Sequence, residues 1–252
     1  MANGPAFDQA VPLAVAAPDL SVGCHVELVD GSSLLPPSQV PTLTQGRDRI
    51  RFYRSSSAFA WHTISGRVSP AQIELEAVAQ IRKLQAAGIS VTHLDTHKHT
   101  HIVPRVLQSL VRAAQACGVR KIRNPFEPLR ISGLIRRPGL WKRWIQFRTL
   151  SAMARAFRET AKNAGMITTD GTIGMVATGA LDEKLFRALI ENLPDGTWEF
   201  VCHPGYNDPE LQSLQTRLRK SREQELEILI ASPTRDLLQR NHIELISYQD
   251  LT

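Results

Sequence analysis

The sequence predicts an α/β fold built on a largely parallel sheet, and three observations carry that expectation. Short apolar runs alternate with helical periods along most of the 252 residues, the pattern of βα units. The length suits one α/β domain, since barrels of this class reach about 250 residues without dividing. Apolar residues make up 42% of the chain, enough for a sizeable core and too many for a disordered polymer.

Taken in order, Pro5 to Ala17 reads as a helix with Phe7, Ala10, Val11 and Ala14 near one face. Leu20 to Val29 reads as a strand closed by the turn pair Asp30-Gly31. Ser32 to Val68 is rich in Pro, Ser and Gly without a clear period, so it is expected to be a long loop or lid. Ser69-Pro70 opens a helix ended by Gly88, with Ile73, Ala77, Ile81 and Leu84 as its apolar stripe. Val91 to Asp95 is the next strand, Pro104 to Cys117 the next helix, and Val119 to Arg123 a short strand ended by Asn124-Pro125. A basic segment follows, helical from Leu140 onward. Leu181 to Leu193 is expected as a helix, Trp198 to Cys202 as a strand and Leu211 to Ala231 as one long charged helix. His242 to Ser247 is expected as a last strand. The whole is expected to form one domain over residues 1–252, with a basic helical insertion at about 130–165.

No apolar run approaches the ~18 residues of a membrane span, and Met1-Ala2-Asn3-Gly4-Pro5 has no signal-peptide character. The chain therefore reads as cytoplasmic. Cys24, Cys117 and Cys202 are too few and scattered for a disulfide framework or a Cys-x-x-Cys site. The net charge of +6 is local: residues 130–165 hold nine basic residues and one acid, Glu159, and the remainder is net acidic. A nucleic-acid role would rest on that segment with Trp141 and Trp144. The plainer alternative, a solvated helix face with the tryptophans in the core, is preferred, and an anionic membrane surface or acidic partner suits the charge as well.

Four of the eight histidines fall between His93 and His101. Strict alternation with Asp95 would put them all on one strand face, which few sheets tolerate. The strand is therefore expected to end near Asp95 or Thr96, with the later histidines on a βα loop, where α/β chemistry gathers. His25 lies in Val22-Gly23-Cys24-His25, and His203 follows Phe200-Val201-Cys202. Three strand ends thus deliver imidazoles, and two histidines with a carboxylate and open positions suit a catalytic divalent ion. Each has a plainer alternative: His25 as a core histidine bonded to backbone, the His-x-His-x-His run as an adventitious surface metal binder, and His203 as a turn residue. Spacing alone leaves these alternatives level.

The motifs add a resemblance. Asn3-Gly4-Pro5-Ala6, Val22-Gly23-Cys24-His25, Thr92-His93-Leu94-Asp95-Thr96-His97-Lys98-His99-Thr100-His101, Arg123-Asn124-Pro125 and Cys202-His203-Pro204-Gly205-Tyr206 occur in the order found in the YdjC-like (ChbG/HpnK) carbohydrate deacetylases, which the chain resembles over nearly its whole length. The resemblance implies an irregular (β/α) barrel of the polysaccharide-deacetylase type and a hydrolase that removes N-acetyl groups from amino sugars or oligosaccharides. It implies a divalent metal, Mg²⁺ or Zn²⁺, with His25 and His97 as two ligands; two imidazoles favour zinc. Within that mechanism His203 is the candidate acid for the departing amine and Asp95 a group orienting an imidazole rather than the base. His99, Arg123 and Tyr206 are candidate sugar-binding residues, with a structural salt bridge the alternative for Arg123.

The family pattern also includes an Asp-Asp pair on a first βα unit, supplying the third metal ligand and the base. This sequence contains no Asp-Asp pair. A misassigned start, a true truncation, or substitution by another acid such as Asp30 or Asp95 would each account for that. The 252-residue form is expected to bind metal weakly and to turn over poorly, since loss of a positioned base costs roughly 10²–10⁴-fold. A non-catalytic sugar- or metal-binding relative remains the rival. The oligomeric state is open, a homo-oligomer included.

Overall fold

The computed structural model describes residues 1–46, 50–128, 138–214 and 216–252. Arg130, Arg136 and Arg137 of the basic segment lie outside the described residues. The element order is α1 (Phe7–Val15), β1 (Val22–Val26), β2 (Thr44–Gln45), β3 (Arg51–Phe52), α2 (Ser56–Ile64), α3 (Pro70–Ala86), β4 (Val91–Thr96) and α4 (Pro104–Ala116). It continues through α5 (Trp141–Leu150), α6 (Ala154–Asn163), β5 (Gly171–Ile173), α7 (Glu183–Glu191), β6 (Trp198–Phe200), α8 (Pro209–Ser213), α9 (Lys220–Ile230) and α10 (Ser232–Arg240). The residues divide into two compact units. The first holds Met1–Arg123, Arg155–Thr168 and Ile246–Thr252, and the second Asn124–Ala154 and Thr169–Leu245.

The first unit is organised by the parallel pair β1 and β4, whose register sets Cys24 against Leu94, His25 against Asp95 and Val26 against Thr96. Parallel bridges from Leu94 to Ile122 and from Lys121 to Ile167 extend the row. Helix α3 forms as its termini direct. Pro70 occupies the first turn, where a missing N–H costs nothing, and Gly88 takes the left-handed φ of +83° that follows the last turn. Its stripe of Ile73, Ala77, Ile81 and Leu84 is buried, at roughly 1.5–3 kcal/mol for each large side chain.

The second unit pairs β5 with β6 in parallel. Its core gathers Leu181, Leu185, Phe186, Leu189 and Ile190 around α7, with Ile228 of α9 and Leu237 of α10. Asp182 starts α7 by accepting the Leu185 N–H at 2.8 Å.

Four expectations are corrected. The strands do not close into a barrel among the described residues: beyond β4 the ladder is carried by single bridges, so residues 119–123 contribute a contact rather than a full strand. The stretch 32–68 is not all loop. It holds the β2–β3 hairpin pair and α2, which Ser55 caps by accepting the Ala58 N–H at 3.3 Å; residues 47–49 lie outside the described residues. The long helix expected over 211–231 is two, α8 and α9, because the backbone turns extended at Leu214 (ψ 145°) and departs from helix again at Arg219. Residues 242–247 are coil, entered through a left-handed His242 (φ 54°) after α10. Cys24, Cys117 and Cys202 are free thiols. Among the described residues no helix is long and apolar enough to cross a membrane.

Candidate functional site

The site in the first unit begins with register. Because His25 and Asp95 are paired across β1 and β4, their side chains emerge together, and His25 Nδ1 lies 2.7 Å from Asp95 Oδ2. A carboxylate only accepts, so Nδ1 carries a proton and donates it to Asp95. Arg123 brings its Nη1 to the same Asp95 oxygen from the bridge beside β4. Asp95 is buried, and burial alone would raise its carboxyl; the His25 imidazole and the Arg123 guanidinium outweigh that and hold it well below the usual range. Asp95 is therefore a fixed anion, suited to orienting His25 and unsuited to taking up a proton.

Strand β4 ends at Thr96, and the chain turns into a short 3₁₀ segment, His97–Ile102. Lys98 (φ 53°) and His99 (φ 52°) are consecutive left-handed residues with full side chains, a conformation that costs roughly 1–3 kcal/mol per residue and persists only where the surroundings enforce it. The kink breaks the alternation of the histidine run, so its members part company. His97 faces His25, ring centroids 5.6 Å apart and edge-on. His101 is fully buried, its Nδ1 2.6 Å from Thr96 Oγ1 and its Nε2 3.2 Å from the Arg123 carbonyl. His99 Nδ1 is buried without a hydrogen-bond partner among the described residues. Burial lowers the pKa of His97 to about 4, His99 to about 3 and His101 to about 4, with neighbouring cationic groups assisting at His97 and His99. These rings are neutral at neutral pH, the form that binds a metal ion.

Asp30, at a left-handed φ of 74° just past β1, approaches His97 Nε2 at 3.9 Å and bonds Lys98 Nζ at 2.6 Å. That lysine bond lowers the Asp30 pKa. The fourth histidine of the run does something else: His93 stacks on Tyr248 at 3.7 Å, with Gly23 against its ring where any Cβ would collide.

Two residues of α3 hold the backbone that carries these groups. Gln80 accepts the Glu27 N–H at 2.9 Å and donates to the Glu27 carbonyl at 2.8 Å, as a neighbouring strand would. Glu76, one turn earlier, receives Gln80 and the N–H groups of Leu34 and Leu35. The Glu27 carboxyl packs over Gly31, and burial raises its pKa to about 7. A separate concavity of about 470 Å³ lies where α4 gives way to Val119 and Arg120, lined also by Gly165 and Met166, and contains none of the histidines.

His203 and Tyr206 belong to the second unit. Glu225 of α9, buried, accepts the His203 backbone N–H, and Gly205 donates to the Arg222 carbonyl at 3.2 Å. The Tyr206 ring is exposed.

The donor set in the first unit answers to a divalent ion in part. His25 and His97 are adjacent imidazoles, the first oriented by a carboxylate, the arrangement in which metal-binding histidines are held. Among the described residues no group of three His, Cys, Asp or Glu side chains forms a metal-holding set.

The profile of the YdjC-like protein family matches residues 1–240. The chain belongs to the YdjC-like family. A carbohydrate deacetylase of Brevibacillus brevis is 30% identical over 253 residues, spanning all of this chain and 86% of that protein. A carbohydrate deacetylase of Thermoanaerobacter pseudethanolicus is 24% identical, again over 100% and 86% of the two chains. The fold is shared with a crystal structure from Enterococcus faecalis V583, provisionally described as a cellobiose-phosphate cleavage protein: TM-score 0.76, 21% identity, 99% of this chain and 85% of that one. Among YdjC-like features, the motif residues His25, Asp95, His97, His99 and Arg123 all fall in the first unit. Sequence patterning missed the Asp30–Lys98 pair, the buried Glu27 carboxyl and the Gln80–Glu76 clamp. Only the turn Asp30-Gly31 gave a local sign of any of them.

Proposed function

We propose that this YdjC-like chain is a carbohydrate N-deacetylase, a hydrolase of the linear amide of an acetylated amino sugar or oligosaccharide. The observation that carries this reading is the His25–Asp95–Arg123 chain beside His97: two adjacent imidazoles, one held in orientation by a permanently ionised carboxylate. His25 and His97 are the groups that would hold a divalent ion, Zn²⁺ or Mg²⁺, which when bound polarises the acetamide carbonyl and lowers the pKa of water. Asp95 holds the His25 ring through Nδ1, and Arg123 keeps Asp95 charged. His99 in the first unit is assigned to the sugar by its place in the motif, and Tyr206, exposed in the second unit, is a candidate sugar-binding residue by its own motif alone. Arg123, engaged by Asp95, serves the site through that carboxylate. Departure of the amine needs a proton, and His203 is the assigned acid.

Acetate release from N-acetylglucosamine oligomers, with and without added Zn²⁺ or Mg²⁺ and after chelation, tests the reading. Turnover that is abolished by His25→Ala and by His97→Ala supports it; turnover unaffected by either rejects it. The rival reading is a sugar- or metal-binding relative without turnover. Calorimetric binding of the oligomer with no acetate released would favour that rival.

A further inference from the structure

We propose that helix α5 is a peripheral membrane-binding element that lays its outer face on an anionic lipid bilayer. This rests on the second unit alone and is independent of the deacetylase reading. The helix has two faces. Inward, Trp144 and Phe147 pack against the apolar cluster that includes Leu140, Val176 and Leu181. Arg143 reinforces that orientation by donating to the carbonyls of Val176 and Thr178. Outward, Trp141 is 51% exposed and Ile145 57% exposed, four residues apart and therefore stacked on one face. Arg148, seven residues after Trp141, sits on one flank with its guanidinium 5.3 Å from the Trp144 ring centroid, and the exposed Lys142 sits on the other. The helix contains no acid.

An outward tryptophan and isoleucine between two cations is the arrangement of a helix lying in a lipid interface: the apolar pair enters the headgroup boundary while the cations meet phosphates. Ten residues span about 15 Å, far short of a bilayer, so the contact is parallel to the surface. The composition of the face separates lipid from the other occupants. A second copy facing the first across a two-fold axis would set cation against cation. A nucleic acid would satisfy Lys142 and Arg148 and stack on Trp141, but it offers Ile145 no hydrocarbon.

Sedimentation of the full chain with vesicles tests this, using phosphatidylcholine alone and phosphatidylcholine with phosphatidylglycerol at low ionic strength. Binding is expected to the anionic vesicles, with each outward cation contributing about fivefold. Trp141→Ser with Ile145→Ser should weaken binding about tenfold or more, at least the loss of two to three buried methylenes. Lys142→Glu with Arg148→Glu should erase the preference for anionic lipid, while Lys184→Glu, elsewhere on the second unit, should not. Circular dichroism checks that the variants fold, and Ile145→Gln alone replaces the double variant if that one unfolds. No binding to anionic vesicles overturns the proposal. So does binding that survives loss of Trp141 and Ile145, or tighter binding to a single-stranded oligonucleotide that depends on Lys142 and Arg148 but not on Ile145.

Discussion

The two units bury ionisable chemistry in opposite ways. In the first, Asp95, Arg123, His25 and His101 are linked by hydrogen bonds across β1, β4 and the chain beside them, so the interior is a polar network with an aliphatic surround. In the second, the interior is an apolar cluster around α7, and its carboxylates serve backbone: half-buried Glu127 binds the N–H groups of Met175 and Val176, and buried Glu225 binds that of His203. The lesson is that stability and the geometry of the His25–His97 pair should be coupled in the first unit, whereas the apolar core of the second unit holds neither histidine.

The largest expected effect breaks the network. Asp95→Ala strips half-buried Arg123 and His25 of their shared carboxylate and should cost roughly 3–5 kcal/mol in denaturant unfolding. Asp95→Asn keeps the shape and should weaken metal affinity about 10- to 100-fold, read by calorimetry, because His25 loses the carboxylate that orients it. In the second unit Leu185→Ala should cost a comparable ~2–5 kcal/mol by opening a cavity, yet leave the metal affinity of the first unit unchanged. A shift in both would show the units to be coupled.

Acid and base should then act with opposite sign. The histidines His97, His99 and His101 have folded-state pKa values below that of the unfolded chain, so the unfolded state binds more protons. Their contribution is complete above about pH 6.5 and lost as pH falls toward 4. Glu127 is the reverse: burial, opposed by its backbone hydrogen bonds, raises its pKa to about 7. Its contribution is present below the unfolded carboxyl value and lost as pH rises through 7. In chelator, the melting temperature should fall by about 5 °C or more between pH 6.5 and 4.5. His101→Asn should reduce that acid sensitivity, and Glu127→Gln should reduce the loss on the alkaline side. The smallest effect is local to α2: Ser55→Ala removes its cap and should cost ~1 kcal/mol.

Legibility in the sequence followed the range of the interactions. Helix α3 was readable because Ser69-Pro70 and Gly88 act within a turn of themselves, and the end of β4 near Thr96 because five alternating polar residues cannot share one face. Helix α2 was hidden because its cap lies in a serine run that also suits a loop. The break between α8 and α9 was hidden because charged residues continue the helical composition through it. At the site, Asp95 as a partner for an imidazole was foreseeable from its place in the motif. The clamp of Glu76 and Gln80 was not, since its partners lie 41 to 53 residues away in sequence and only packing joins them.

That clamp has a bearing on association as well. A strand edge is hazardous when its N–H and C=O groups are free to template another chain. At Glu27, just past the end of β1, both groups are already taken by the Gln80 amide. A single side chain thus occupies the place where an intruding strand would begin to pair, and guards the segment leading to Asp30 against aggregation.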